Sequence, residues 1–224
     1  MTADVGTEQF WEGHYRSRER VWSGQVNAAL ADVLTGLDAD LPAGTALDLG
    51  CGEGADAVWL ARRGWRVRAV DVSPTALARA AAHATEAGVG HLVEVARHDL
   101  ESSFPDGRFD LVSAQYLQSP LDFARHRVLR LAAESVAPGG LLLIVEHASA
   151  PGHHVDHPRF PTPEETLTGL ELAPGEWARH RVDAVRRTVP VPSGEIVTVT
   201  DSVIAMRRRG DPADIVVPTQ HLVS

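Results

Sequence analysis

Ala46-Leu47-Asp48-Leu49-Gly50-Cys51-Gly52-Glu53-Gly54 is the stretch that decides the fold of this 224-residue chain. Leu47 and Leu49 suit a short buried strand. Gly50, Gly52 and Gly54 follow at alternate positions, and an alanine-rich amphipathic segment covers residues 55–63. The order is strand, glycine loop, helix. Glycine lets the backbone turn tightly and lets a ligand approach it closely. The N–H groups that open a helix form a partly positive site. A nucleotide-like cofactor is the expected occupant.

Downstream, strands and helices alternate. Residues 66–72 read as a strand carrying Asp71 at its end. Ser73-Pro74 then opens a helix, serine as cap and proline in the first turn, which stops by Gly88. Residues 92–96 form a third strand followed by His98-Asp99-Leu100. Residues 109–114 form a fourth, followed by Gln115-Tyr116-Leu117. A helix over 121–136 ends before Pro138-Gly139-Gly140, and residues 141–146 form a fifth strand. The rhythm then changes. Residues 148–163 are rich in proline, glycine and histidine and read as a long loop. Thr162-Pro163-Glu164-Glu165 starts a helix that runs to about Leu170. Residues 177–189, with Val182, Ala184 and Val189 inward, and 196–206 make an antiparallel strand pair. Such alternation requires an α/β fold: a mostly parallel sheet with right-handed crossovers and helices on both faces. Ligands in such sheets bind outside the carboxyl ends of the strands.

Upstream, residues 1–8 read as loose, and 25–37 carry Val26, Leu30, Val33, Leu34 and Leu37 at helical spacing. Phe10, Trp11, Tyr15 and Trp22 crowd one segment although aromatics are only 5% of the chain. Two readings stand: a helix packing its aromatic face on the core, or a lid over a flat ligand.

Composition narrows the function. A formal net charge of -9 opposes nucleic-acid and anionic-membrane surfaces, which need basic excess. The one cysteine, Cys51, permits no internal disulfide and no cysteine zinc cluster, and fits a cytoplasmic location. There is no lysine, which excludes a P-loop and a Schiff-base lysine. Two cofactor readings then remain for the glycine loop. Gly50-x-Gly52-x-x-Ala55 formally fits a nicotinamide dinucleotide. Asp48 opposes it, because a carboxylate at the mouth of the site repels a pyrophosphate. S-adenosylmethionine carries an ammonium and a sulfonium and welcomes an acid there. Asp71 can accept both ribose hydroxyls, or favour the start of the next helix. Asp99 can accept an adenine amino group, with Leu100 packing nearby.

Taken together, LDLGCGEGADAVWLA, VRAVDVSPTALARA, HDL and FDLVSAQYLQ resemble class I S-adenosylmethionine-dependent methyltransferases over about residues 45–147. FWEGHYRSRERVWSG further resembles the tellurite-resistance and thiopurine methyltransferase-like subgroup, with His14 where an arginine often stands. The resemblance implies a Rossmann-like seven-stranded sheet closed by the C-terminal strand pair. It implies that Gly50, Gly52 and Gly54 wrap the amino-acid end of the cofactor, oriented by Asp48. Asp71 would hold the ribose, Val72 and Ser73 line the adenine, and Asp99 and Leu100 fix its edge. Gln115, Tyr116 and Leu117 would lie under the methionine portion, with Trp11, Tyr15 and Trp22 as a cover.

One domain is expected: a cofactor cover (1–44), a cofactor-binding core (45–147), an acceptor side of loop, helix and hairpin (148–210) and a tail (211–224). Methyl transfer needs alignment in a dry cavity, and a base only where the acceptor must lose a proton. His147, after the fifth strand, is the leading candidate base or else a histidine hydrogen-bonded to a loop, and Tyr116 is the second candidate or else a wall of the site. His153, His154, Asp156 and His157 are either polar loop residues, pocket lining or metal ligands. Two functional classes follow: a methyltransferase for a small-molecule acceptor, or a non-catalytic protein binding S-adenosylmethionine or a metal. Neither the acceptor nor the oligomeric state is legible.

Overall fold

A computed structural model describes residues 6–37, 39–149, 160–190 and 195–210. Seven strands form one sheet in the order β3-β2-β1-β4-β5-β7-β6. These are β1 (Thr45–Leu49), β2 (Arg66–Asp71), β3 (Val93–Arg97), β4 (Phe109–Gln115), β5 (Val136–His147), β6 (Trp177–Pro190) and β7 (Ile196–Arg208). Strands β1 to β5 pair parallel, and β7 pairs antiparallel with both β5 and β6. The expected Rossmann-like sheet, with its closing hairpin, is present.

The helices are α1 (Thr7–Arg16), α2 (Ala28–Leu37), α3 (Ala55–Arg62), α4 (Pro74–Glu86), α5 (Arg125–Glu134) and α6 (Pro163–Gly169). Apolar side chains cover both sheet faces. Leu30 and Leu34 of α2 and Leu60 of α3 pack with Leu141, Leu143 and Val145 of β5. Val128 and Leu129 of α5 pack with Leu142 and Ile144 on the other face. Alternate residues of β5 therefore enter opposite cores, which is why residues 141–145 are apolar without interruption.

Several boundaries differ from expectation. Helix α1 begins at Thr7, inside the stretch read as loose. Helix α5 begins at Arg125, not near 121, because Glu101 from the β3–β4 connection accepts the Ala124 N–H at 2.9 Å and supplies a carboxylate at the helix start. Strand β5 begins at Val136 and carries Pro138-Gly139-Gly140 within it, where the register against β4 shifts. In β6 a register shift between Arg179 and Arg181 resets the alternation. Val182 packs with Leu167 and Leu170 around α6, while Ala184 is exposed on the edge strand, a correction to its inward reading. Thr162 caps α6 in a capping box with Glu165, as its sequence predicts. Among the described residues no helix is long and apolar enough to cross a membrane.

Candidate active site

A cavity of about 1050 Å³ opens at the carboxyl ends of β1, β2, β3, β4 and β5. Its cofactor end is built from the glycine loop outward. Gly50 and Gly52 have φ of 68° and 54°, in the left-handed region. A Cβ on Gly50 would stand 2.8 Å from Leu117 Cδ1, and one on Gly52 would stand 2.9 Å from the Tyr15 hydroxyl. Both glycines line the cavity and leave room at its floor for a ligand. Gly54 has a different task. Its absent side chain lets α3 pack on α4, since a Cβ there would lie 2.7 Å from Ala80 Cβ.

Three carboxylates converge beside this loop. Asp48 on β1 is 2% exposed, and its Oδ2 has no hydrogen-bond partner among the described residues. Burial, reinforced by the charges of Asp56 and Asp71, pushes its carboxyl well above the usual range. Asp71 accepts hydrogen bonds from the Gly52 N–H at 3.0 Å and the Ser73 N–H at 2.9 Å. Burial outweighs those bonds and raises it too. Asp56 in the first turn of α3 accepts the Asn27 N–H at 2.7 Å, and burial moves it to about 6. Among the described residues nothing cationic pairs with these acids. Burial, then Asp71 and Asp48, also drives the Cys51 thiol upward, so Cys51 is a protonated wall residue and not a nucleophile.

The aromatic segment covers this end. Glu53, in the loop itself, accepts the N–H groups of Val21 and Trp22 and pairs with Arg79 at 2.8 Å. The Trp22 indole N–H donates to the Tyr15 hydroxyl at 3.0 Å. Glu12 of α1 accepts from the Ser73 hydroxyl at 2.6 Å and from the Thr75 hydroxyl and N–H. Tyr15 is buried in the core while Trp22 is 49% exposed at the rim of the cavity. Trp11, Tyr15, Trp22, Val72, Asp99 and Leu100 all line the cavity. Ser73 does not belong to the lining; it is fully buried and caps α4 by accepting the Ala76 N–H.

The other end of the cavity joins four strands. Tyr116, at φ 51°, donates its hydroxyl to Asp201 of β7 at 2.7 Å. Its ring stacks on His147, centroids 4.2 Å apart and planes 20° apart. His147 Nδ1 lies 3.5 Å from Asp201 Oδ1. Arg187 of β6 donates to the same carboxylate and lies over the Tyr116 ring. Against its burial, the His147, Arg187 and Tyr116 contacts pull Asp201 down to about 2. Burial and the bond to Asp201 push the Tyr116 phenol above its ordinary value. The Gln118 side chain brackets His147, its carbonyl accepting the His147 N–H at 2.8 Å. Gln115 donates to Ser113, and its Oε1 has no hydrogen-bond partner among the described residues.

Behind His147, Glu146 is fully buried and pairs with Arg125 and the Thr166 hydroxyl, fastening α5 and α6 to β5. His153, His154, Asp156 and His157 lie outside the described residues, within which no group of three or more candidate ligands could hold a metal. Asp56, Glu53, Gln118, Arg187 and Asp201 were not singled out by sequence. Glu53 lies within the decisive stretch and Asp56 just after it; Asp201 offers only one acid among alternating apolar and polar residues of β7.

The residues of the cofactor end fit S-adenosylmethionine: an orphaned buried carboxylate for a cation, a floor a Cβ would fill, and Asp71 at the end of β2. Comparison with known proteins agrees. Residues 46–140 match the family model of a methyltransferase domain. A ubiquinone biosynthesis O-methyltransferase from Methylobacterium sp. is 42% identical over 99 residues, 43% of this chain and 38% of that protein. The chain thus spans well under half the length of that relative. TehB from Haemophilus influenzae superposes with a TM-score of 0.67 at 16% identity, covering 88% of this chain and 67% of TehB. A chain solved in work on conversion of a disulfide bond into a thioacetal group during echinomycin biosynthesis gives 0.69 at 24% identity, covering 92% and 95%. The chain has the class I S-adenosylmethionine-dependent methyltransferase fold and resembles TehB.

Proposed function

We propose that this chain binds S-adenosylmethionine and methylates a small-molecule acceptor. The observation that carries the reading is the unpaired acidic cradle: buried Asp48 and Asp71 with half-buried Asp56 beside a glycine floor, and no cation paired with them among the described residues. A pyrophosphate brought among three carboxylates would be repelled, which disfavours a nicotinamide cofactor. A cation is drawn there. When bound, S-adenosylmethionine supplies a methyl group on a sulfonium, open to in-line displacement by an acceptor.

The chain's own residues then have distinct tasks. Asp48 and Asp56 meet positive charge, and Asp71, held by two backbone N–H groups, presents its remaining acceptor capacity to hydroxyls. Asp99 and Leu100 line the cavity beyond Asp71, in position to read the adenine. Trp11, Tyr15 and Trp22 exclude water from above, and Leu117 closes against Gly50. Tyr116 is a wall, since its hydroxyl is committed to Asp201. The acidic surface supports small molecules over nucleic acid as acceptors. A cytoplasmic location belongs to the same reading and rests on the cysteine usage.

Titration calorimetry with S-adenosylmethionine and S-adenosylhomocysteine tests the proposal. Stoichiometric binding of both is expected. Absence of binding, or preference for a nicotinamide dinucleotide, overturns it.

A further inference from the structure

We infer that His147 is the base of this site, that Asp201 is its positioning residue, and that the acceptor is an uncharged aromatic molecule bearing an O–H or S–H. This rests on the methyltransferase reading and deepens it. The His147 ring is flanked on two sides, by Tyr116 stacked on one face and by Asp201 at Nδ1, while Gln118 holds its backbone. Nδ1 is buried and makes no hydrogen bond among the described residues; the polar group facing it is Asp201 Oδ1 at 3.5 Å, an ion-pair distance that must shorten for the hydrogen bond to close. A carboxylate can only accept a hydrogen bond, so it selects the tautomer with hydrogen on Nδ1 and leaves the Nε2 lone pair unprotonated. Asp201 is itself fixed by Tyr116 and Arg187, so the ring's orientation is set from the sheet. The same order, acid behind imidazole, stabilises an imidazolium once it forms.

The acceptor's chemistry follows from the residues that line the same cavity as His147. Arg187 is neutralised by Asp201, and Arg181, the other cavity arginine, is neutralised by Asp32 at 2.7 Å and Asp183 at 2.9 Å. Among the described residues, a carboxylate or phosphate on the acceptor would find both cavity guanidinium groups already engaged. Phe123 and Val185 of the lining, with the flat Tyr116–His147 pair, favour a ring. A base is required only where the attacking atom carries a proton it must lose. The step balances as follows. The acceptor oxygen or sulfur forms the new bond to the methyl carbon, the carbon–sulfonium bond breaks with its electron pair going to sulfur, and the acceptor's proton passes to Nε2 and later to solvent.

The test reads His147 directly. Long-range proton–nitrogen spectra of histidine-labelled protein, with His147 assigned by its loss in His147→Gln, should show the Nδ1–H tautomer. In Asp201→Asn the side-chain amide can donate to Nδ1, and the ring should shift toward Nε2–H. S-adenosylhomocysteine affinity should stay within threefold in both variants. In the S-adenosylhomocysteine-loaded protein, millimolar phenol and thiophenol should perturb the His147 ring signals and benzoate should not. With any acceptor that the enzyme turns over, Asp201→Asn should lower kcat by about 10²- to 10⁴-fold with little change in KM. An Nε2–H tautomer in the native protein, ring signals that respond to benzoate but to neither phenol nor thiophenol, no response to any of the three, or a collapse of S-adenosylhomocysteine affinity in Asp201→Asn would each overturn the inference. Failure of the native protein to bind S-adenosylhomocysteine would instead strike the methyltransferase reading beneath it.

Discussion

The two ends of the cavity hold their charges in opposite ways. At the cofactor end Asp48 and Asp71 are buried with Asp56 half-buried near them, without a cationic partner among the described residues, and their carboxyls are pushed upward. At the acceptor end Asp201 is paired with Arg187, Tyr116 and His147 and is pulled down to about 2. The first arrangement is complete only with a cation from outside. The second is already neutral and rigid. Binding and orientation are thus divided between an end that waits for charge and an end that has spent it internally.

That contrast can be broken experimentally. The largest effect is on stability behind the acceptor end. Arg125→Ala leaves Glu146 buried without its cation and should cost about 3–5 kcal/mol in denaturant unfolding. A loss under about 1 kcal/mol would mean that Thr166 and solvent suffice for Glu146. Next is the cofactor end. Asp71→Ala removes an acceptor and orphans two N–H groups, so S-adenosylmethionine affinity should fall about 10²- to 10³-fold while circular dichroism is retained. Unchanged affinity would remove Asp71 from the site.

Gly52→Ala forces a side chain into φ 54° and toward the Tyr15 hydroxyl. It should cost about 1–2 kcal/mol of stability and weaken the cofactor by about tenfold, measured by thermal shift and calorimetry. The pH response comes next. Asp56, raised to about 6, weakens the ligand-free fold as it ionises, so its contribution to stability falls as pH rises from the ordinary carboxyl value of 3.8 through 6. A cation prefers the ionised form. Cofactor affinity should therefore rise between about pH 5 and 7 with release of protons, seen as a dependence of binding heat on the buffer's ionisation enthalpy. Asp201 has the reverse sign: its contribution is present above the ordinary value and is lost as pH falls toward 2. The smallest effect is at the rim, where Trp22→Ala should weaken the cofactor only a few-fold, since that ring is half exposed.

The comparison also separates what could be read in the sequence from what could not. Asp48, the loop glycines, Asp71 and Asp99 each end a parallel strand, and the alternation of strand and helix places such ends together by a general rule. Their convergence was legible. Ser73 and Gly54 sit in the same motifs yet serve a cap and a helix contact, because adjacent backbone positions face different neighbours. Helix α5 was read too long because its start depends on Glu101, remote in sequence. Ala184 shares a face with Val182, two residues away in unbroken register, yet is exposed, because Val182 packs on the core cluster that holds Leu167 and Leu170 and the edge strand runs past it; periodicity gives the face, not the cover.

The sequence by itself determined the doubly wound sheet, the glycine loop and the acidic cofactor end, since periodicity, turn chemistry and strand-end carboxylates are local properties. Only the tertiary structure decided the acceptor end. His147, Arg187 and Asp201 come from three strands, with Tyr116 just past the end of β4, and they meet because antiparallel pairing sets His147 opposite Asp201, and Asp201 opposite Val185, two residues from Arg187. No local signal encodes that register; it is chosen by the two cores that β5 and β7 bury on either face of the sheet.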